Sequence, residues 1–161
     1  MDMHVRWLIR ADLPAMLDIE AALPAPWTEE TYLDMLKHRN CIAMVVETIR
    51  SDEAAEQVIG GMVYSLNKSS IELDRFVVHS DWRRRGAGTA LMKKLLTKLS
   101  GHKRTRACMT VPDDNLDAHL FLKAQGWEAV RVDRQWGEQD QYRFVYRIPA
   151  TEGVPVGAEE E

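Results

Sequence analysis

One segment limits the folds open to this chain more than any other, and it runs from Val77 to Met92 with the sequence VVHSDWRRRGAGTALM. An apolar run typical of a strand ends at Val78, a turn with two glycines follows, and apolar residues at helical spacing begin at Leu91. A strand, a glycine-bearing turn and a helix in this order are typical of architectures that combine a sheet with helices. We therefore expect this turn to join a strand of the sheet to the first turn of a helix.

The chemistry of this turn favours a bound anion. About four backbone N–H groups at a helix N-terminus lack an intrahelical partner and carry partial positive charge. Glycines let the backbone approach an anion closely, and Gly86 and Gly88 stand where the helix is expected to begin. The segment lacks the GxxxxGK[ST] pattern of a P-loop, and it lacks the third glycine of the GxGxxG pattern of a Rossmann dinucleotide-binding turn. A plain capping turn is the alternative, but the three arginines before Gly86 favour a pyrophosphate with an additional phosphate.

Charge is distributed unevenly along the chain. The formal net charge is −4, from 21 basic and 25 acidic residues. The stretch from Trp82 to Pro112 carries no acidic residue and nine basic ones, which are Arg83, Arg84, Arg85, Lys93, Lys94, Lys98, Lys103, Arg104 and Arg106. Such a stretch is typical of a solvated basic face or of a polyanion site. Because the chain as a whole is acidic and no stacking aromatic residues interleave these basic residues, we expect a small polyphosphate ligand and no nucleic acid.

The hydrophobic periodicity predicts the element order β-α-α-β-β-β-α-β-α-β-β, and hence an α/β (α+β) fold with one mixed sheet and helices on both faces. The first strand is expected at Trp7–Ile9, with Asp12 as the N-cap of the first helix and Thr28 as the N-cap of the second. We expect a single domain over 1–149 and a disordered acidic tail over 150–161, which is rich in Gly, Pro and Glu.

Several classes of protein are excluded by composition. No stretch approaches the roughly 20 apolar residues of a membrane span, and charges interrupt the N-terminal region where a signal peptide needs its apolar run. The two cysteines, Cys41 and Cys108, fit neither a zinc-binding spacing nor a disulfide framework. We therefore expect a cytoplasmic protein, a monomer or a homodimer, with no metal site and no membrane partner.

The residues Arg83-Arg84-Arg85-Gly86-Ala87-Gly88 match the pattern [RQ]-x-x-G-x-[GA], and the chain thereby resembles the GNAT superfamily of N-acetyltransferases. The resemblance covers about residues 5–148 and is closest to the ribosomal-protein-alanine N-acetyltransferase branch. ADLPAMLDIE followed by PWTEETY is similar to the start of that branch, and Asn115-x-x-Ala118 with Gly126-Trp127 is similar to its N-x-x-A…G-F element.

This resemblance implies acetyl-CoA as the donor and a primary amine as the acceptor. It implies that backbone amides of the turn hold the pyrophosphate, that the preceding strand pairs with the pantetheine arm, and that the thioester enters a splay between that strand and the one containing ACMTV. The cofactor-binding residues implied in this way are Phe76, Val77, Val78, Arg83, Arg84, Arg85, Gly86, Ala87, Gly88, Thr89 and Asn115.

The chain departs from the branch at the two positions that carry its acid–base chemistry. The glutamate five residues before the asparagine is Thr110 here, and the tyrosine seven residues after it is Leu122. In the histone-type branch the base is a glutamate eleven residues before the [RQ] position, which corresponds to Glu72. We therefore expect Glu72 as the base, with Asp74 on the same face of its strand. Tyr142 is the first candidate for the acid and Tyr146 the second.

Three functions remain open at this point. The first is an acetyltransferase that acts on an N-terminal α-amine, a lysine or a small amine. The second is a catalytically weak acyl-CoA-binding sensor, which the residues at positions 110 and 122 suggest. The third is a nucleic-acid-associated module that uses the basic stretch. We expect the first, with a peptide or small-molecule amine as the acceptor.

Overall fold

Among residues 2–134 and 139–148, which the computed structural model describes, the chain forms seven strands and four α-helices. The strands are β1 (Met3–Trp7), β2 (Cys41–Thr48), β3 (Val58–Leu66), β4 (Ser70–Val78), β5 (Arg106–Pro112), β6 (Glu128–Asp133) and β7 (Gln141–Arg147). The helices are α1 (Leu13–Glu20), α2 (Glu29–Leu36), α3 (Ala87–Gly101) and α4 (Leu116–Ala124). The predicted element order is confirmed, whereas the predicted tail over 150–161 lies outside the described residues.

The beginning of the chain differs from the prediction. The first strand is not Trp7–Ile9, because β1 pairs with β2 from Met3 opposite Thr48 to Trp7 opposite Met44. Asp12 does not cap α1 with its side chain. Its carboxylate instead accepts a hydrogen bond from the backbone N–H of Ile9 at 2.8 Å and two from Arg6 at 2.8 and 2.9 Å. These bonds to preceding residues fold Arg10–Asp12 into a 3-10 turn that ends the extended segment.

Helices cover both faces of the mixed sheet, as predicted. Consecutive residues of β2 alternate between two cores, because Met44 and Val46 pack beneath α3 and α4, whereas Ala43 and Val45 pack against α1 and α2. We call these sides the α3/α4 face and the α1/α2 face. The amphipathic pattern of α3 buries Leu91, Met92, Leu95 and Leu99, and Leu96 is partly buried beside them. As predicted, Thr28 caps α2, and its hydroxyl accepts the N–H of Thr31 at 3.1 Å.

The strands follow the order β1-β2-β3-β4-β5-β7-β6, and among the described residues only β4 and β5 run parallel. Their ladder is short, since it pairs Ser70–Glu72 with Arg106–Cys108 and, in the part of the chain that the structure describes, goes no further. β4 continues to Val78 beside β3, and β5 continues to Pro112 beside β7. The two strands therefore separate beyond Glu72 and Cys108, which confirms the predicted splay.

An irregularity in β4 adjoins the splay. Tyr64 of β3 lies opposite Leu73, but the preceding Val63 lies opposite Arg75, so Asp74 is an extra residue in β4. A bulge of this kind bends the strand and turns two successive side chains to similar sides. Leu73 and Phe76 accordingly both pack on the α3/α4 face, although they are three residues apart.

In residues 2–134 and 139–148, no helix has the length and apolarity needed to cross a membrane.

Candidate active site

The glycine-bearing turn lies at the end of β4, where the sequence places it. Arg84 and Gly86 have positive φ angles of 62° and 97°, and α3 begins at Ala87. The first helical bond that this end donates runs from the N–H of Ala90 to the oxygen of Gly86 at 2.9 Å. The N–H groups of Ala87, Gly88 and Thr89 precede that bond and have no carbonyl in their own helix to bind. These three N–H groups form a set of hydrogen-bond donors suited to an anion. The space beside Gly86 is open, because a Cβ atom built there would meet nothing within 4 Å.

Gly88 lets the start of α3 approach an aromatic pair in the splay. A Cβ atom at position 88 would lie 3.3 Å from the ring of Phe121 and 3.7 Å from the ring of Phe76. These two rings, one from α4 and one from β4, have centroids 5.5 Å apart. The glycine-bearing turn and the open part of β4 are thus adjacent, as the predicted path of the pantetheine arm requires.

The arginines of the turn are exposed. The guanidinium of Arg85 lies 5.0 Å from the centre of the Trp82 ring, in a cation–π contact that orients one of the three side chains. Trp82 otherwise packs against the core, as a tryptophan at this position is expected to do.

On the α1/α2 face, Glu72 lies where the ladder between β4 and β5 ends. Both of its carboxylate oxygens accept hydrogen bonds from Arg143 of β7, at 2.6 and 2.7 Å. The same guanidinium donates to the hydroxyl of Thr110 at 3.0 Å. The hydrogen bond to Glu72 is the main cause of a raised pKa at Arg143, and burial of the guanidinium opposes that shift. The guanidinium of Arg143 therefore holds the Glu72 carboxyl group in place across β5.

Asp74 has different surroundings on the same face. Its Oδ2 atom accepts a hydrogen bond of 2.5 Å from the hydroxyl of Ser65 on β3. Burial raises the pKa of the Asp74 carboxyl above its usual value, the Ser65 bond opposes that shift, and the charge of Glu72 adds to it. Cys41 of β2 lies in the same cluster, and burial followed by the charge of Asp74 raises the pKa of its thiol.

A buried ion pair ties the segment between α1 and α2 to β4. Glu20, which is 1% exposed, accepts two hydrogen bonds from Arg75, one of them 3.0 Å from Nε to Oε2. It also accepts the hydroxyl of Tyr32 at 2.5 Å and the backbone N–H of Trp27 at 2.9 Å. The Arg75 guanidinium lies 5.4 Å from the centre of the Trp27 ring and donates to the oxygen of Ala25 at 3.2 Å. Trp27 is thereby fixed beside β4.

The α3/α4 face of the splay carries Asn115 and Tyr142. The Oδ1 atom of Asn115 caps α4 by accepting the N–H of Ala118 at 3.2 Å. Tyr142 lies opposite Val111, at the open end of β5, and its ring centre is 4.9 Å from that of His119. Tyr146 lies opposite Ala107, at the closed end, and its ring packs against Trp127. Leu122, at the position of the missing tyrosine, is 2% exposed in the core.

The fold therefore brings together most of the predicted site. Phe76, the turn over 83–89, Asn115 and Tyr142 border the open part of the splay, and Glu72 lies at its closed end. Sequence reasoning missed Arg143, Arg75 and Glu20. Their partners are 71 and 55 residues away along the chain, so no local spacing signals them.

Residues 13–127 match the model of the acetyltransferase (GNAT) family. The chain belongs to this family. The predicted family and enzyme class, an acetyltransferase that uses acetyl-CoA, are confirmed at that level. A comparison with curated proteins by sequence finds no significant match.

Solved GNAT structures share the fold over almost the whole chain. The ribosomal-protein-S18-alanine N-acetyltransferase of Escherichia coli is 19% identical, with a TM-score of 0.80, and the alignment covers 96% of this chain and 99% of that one. Ard1 from Thermoplasma volcanium is 21% identical, with a TM-score of 0.79 and coverages of 92% and 99%. NAA60 of Arabidopsis thaliana is 19% identical, with a TM-score of 0.78 and coverages of 92% and 100%. The predicted fold class is confirmed.

Proposed function

We propose that this protein transfers the acetyl group of acetyl-CoA to a primary amine of a peptide or a small molecule. The observation that carries the proposal is the splay between β4 and β5, which opens beside the N-terminus of α3 and has ionisable groups on both faces. Two similar structures support the ligands: one is the Arabidopsis enzyme in complex with acetyl-CoA, and one is the NatC complex bound to Gag peptide and CoA.

Acetyl-CoA fits the residues present. The amides of residues 84–89 and the three arginines would hold its phosphates, since Gly86 leaves the space before them open. The main chain of Phe76, Val77 and Val78, which has no ladder partner on β5 among the described residues, would pair with the pantetheine arm. Asn115 uses its Oδ1 atom for capping, so its amide Nδ2 group remains to donate. Once bound, acetyl-CoA supplies the acetyl group as an activated thioester.

Residues of this chain would then carry out two proton transfers, one from the acceptor ammonium and one to the departing thiolate. The carboxylates of Glu72 and Asp74, both on the α1/α2 face, would bind the acceptor ammonium and remove its proton, because only the neutral amine is nucleophilic. The hydroxyl of Tyr142, on the opposite face, would donate a proton to the departing thiolate. The amine thus approaches from one side of the sheet and the thiol leaves on the other, and the binding of both substrates in one splay provides proximity.

Acetyl transfer measured by mass spectrometry tests this function. Purified protein is incubated with acetyl-CoA and a panel of N-terminal peptides, lysine peptides and polyamines, with Glu72→Gln in parallel. We expect transfer by the wild type to at least one class and a loss of about tenfold in kcat/KM for the variant, since one anion facing the ammonium is removed. Binding of acetyl-CoA with no turnover on any acceptor would favour the sensor function, which the burial of Leu122 in place of an acid suggests.

Tyr142→Phe should slow turnover without weakening the binding of acetyl-CoA. Removing a general acid typically costs about 100-fold or more, but a thiolate is a good leaving group, so we expect a decrease in kcat of roughly tenfold to 100-fold. Steady-state kinetics and calorimetric titration with acetyl-CoA measure both quantities. Tyr146→Phe is the matched control, because Tyr146 lies at the closed end of β5. Equal rates for wild type and Tyr142→Phe would exclude Tyr142 as the acid.

A further inference from the structure

The two carboxylates of β4 on the α1/α2 face are not equivalent. Glu72 has both oxygens engaged by Arg143, at 2.6 and 2.7 Å. Asp74 has one side-chain hydrogen bond in the part of the chain that the structure describes, from Ser65 to its Oδ2 atom at 2.5 Å. Its neighbour Arg75 is turned to Glu20 of α1 rather than to Asp74. Both oxygens of Glu72 are thus engaged by a guanidinium, whereas Asp74 keeps one carboxylate oxygen for another donor.

Their positions relative to the splay also differ. Glu72 forms the last pair between β4 and β5, opposite Cys108. Leu73 packs on the α3/α4 face, so Asp74 is the first residue on the α1/α2 face after the strands separate. It is also the extra residue of the bulge, at which the strand bends. Of the two carboxylate-bearing residues on this face of β4, Asp74 is therefore the one that lies beyond the last pair with β5.

The surroundings of Asp74 suit proton uptake. The groups that face it are Ser65 on β3, the Cys41 thiol on β2 and Glu72 on its own strand. Burial raises the pKa of Asp74, and the charge of Glu72 raises it further. A base whose pKa approaches the working pH accepts a proton more effectively than an ordinary surface carboxylate. Two carboxylates in contrasting environments are a common basis for dividing acid–base roles.

We propose that Asp74 takes the proton of the acceptor ammonium, and that Glu72, fixed by Arg143, binds and orients that ammonium. This inference rests on the proposed acetyltransferase function. One proton passes from R–NH3+ to the Asp74 carboxylate and later to solvent. The amine nitrogen then bonds to the thioester carbonyl carbon, and the C–S bond breaks. The nitrogen loses a second proton, and the departing thiolate gains one, so these two protons cancel in the overall equation. The products are the amide, the CoA thiol and one released proton.

The test compares Asp74→Asn with Glu72→Gln on the best acceptor of the panel. We expect Asp74→Asn to lower kcat by roughly 100-fold while the Kd for acetyl-CoA stays unchanged. In the plot of rate against pH, the fall in rate at low pH that comes from protonation of the base (the acidic limb) should disappear in this variant. Glu72→Gln should act mainly on the KM for the acceptor and leave that limb in place. Asp52→Asn, in the exposed loop between β2 and β3, is the matched control.

Ser65→Ala gives a second readout that needs no change of the carboxylate. The Ser65 hydrogen bond lowers the pKa of Asp74, so its removal should raise that pKa. The base is then protonated up to a higher pH, and the acidic limb of kcat/KM should move towards higher pH. A purely structural role for Asp74 would leave the limb in place.

The outcomes separate the two proposals. If the wild type transfers acetyl groups and Asp74→Asn does so at an undiminished rate with the same acidic limb, the inference about Asp74 is wrong and the enzyme remains. If Glu72→Gln alone abolishes the limb, the proton goes to Glu72. If Asp74→Asn does not fold, an unmoved limb in Ser65→Ala overturns the inference. If the wild type binds acetyl-CoA but transfers to no amine, the proposed function and the role of Asp74 both fail.

Discussion

Replacing Gly86 with glutamate is expected to weaken the binding of acetyl-CoA about a thousandfold. Gly86 has a φ angle of 97°, in which a side chain costs roughly 1–2 kcal/mol. A glutamate would relieve that strain by moving the turn, and the amides of residues 87–89 would lose their common direction. Its charge would also repel a phosphate about 5 Å away by roughly 3 kcal/mol at an effective dielectric constant of about 20. Together these effects amount to about 4 kcal/mol, and each 1.4 kcal/mol is about tenfold in Kd.

Calorimetric titration with acetyl-CoA measures this change. Gly86→Asn is the matched control, because asparagine tolerates a positive φ and adds no charge. It should lose far less affinity than Gly86→Glu, and a melting curve for each variant shows that the fold persists. An affinity of Gly86→Glu within threefold of the wild type would mean that the phosphates bind elsewhere on the protein.

Glu20→Ala is expected to lower the free energy of unfolding by about 3–5 kcal/mol, which is the usual loss when one partner of a buried ion pair is removed. Glu20 is 1% exposed, and Arg75 is 20% exposed. Without the carboxylate, the Arg75 charge, the Tyr32 hydroxyl and the Trp27 N–H all lose an acceptor. Buried donors without partners keep the full cost of their lost hydration.

Urea unfolding followed by circular dichroism measures the free energy. Glu29→Ala, at an exposed site in the first turn of α2, is the control and should cost about 0.3–1 kcal/mol through the helix dipole alone. The double variant Glu20→Met with Arg75→Met should be more stable than Glu20→Ala, because apolar side chains can replace a buried pair at little cost. A loss below about 1 kcal/mol in Glu20→Ala would show that the pair is not coupled to folding.

The sequence was most informative where the controlling interactions are local. Helix α3 follows from apolar residues at helical spacing, Thr28 caps α2 through a residue three positions away, and Gly126 ends α4 with a φ angle of 92°. The prediction was wrong at Trp7–Ile9 and Asp12. There the chain follows the pairing of β1 with β2 and the Arg6–Asp12 ion pair, neither of which appears in the local pattern.

The candidate site divides in the same way. The position of the glycine-bearing turn was predictable, because a strand end, two glycines and a helix start stand within one short segment. Its role in binding phosphate stays a prediction. The candidate acid–base groups could be predicted only in part from the sequence. The sequence placed Glu72 and Asp74 on one side of a regular strand, but the bulge at Asp74 and the capture of Glu72 by Arg143 depend on the neighbouring strands.

By itself, the sequence determined the order of the elements, the family and the turn that faces the expected phosphates. The order of the elements follows from hydrophobic spacing within short segments, and the family follows from the match of residues 83–88 to its motif. The tertiary structure alone decided which carboxylate is paired with Arg143, which tyrosine lies at the open end of the splay, and how Arg75 of β4 contacts Trp27. Such contacts join residues from distant parts of the chain. They are set by strand register, by one extra residue in β4 and by the point at which β4 and β5 separate.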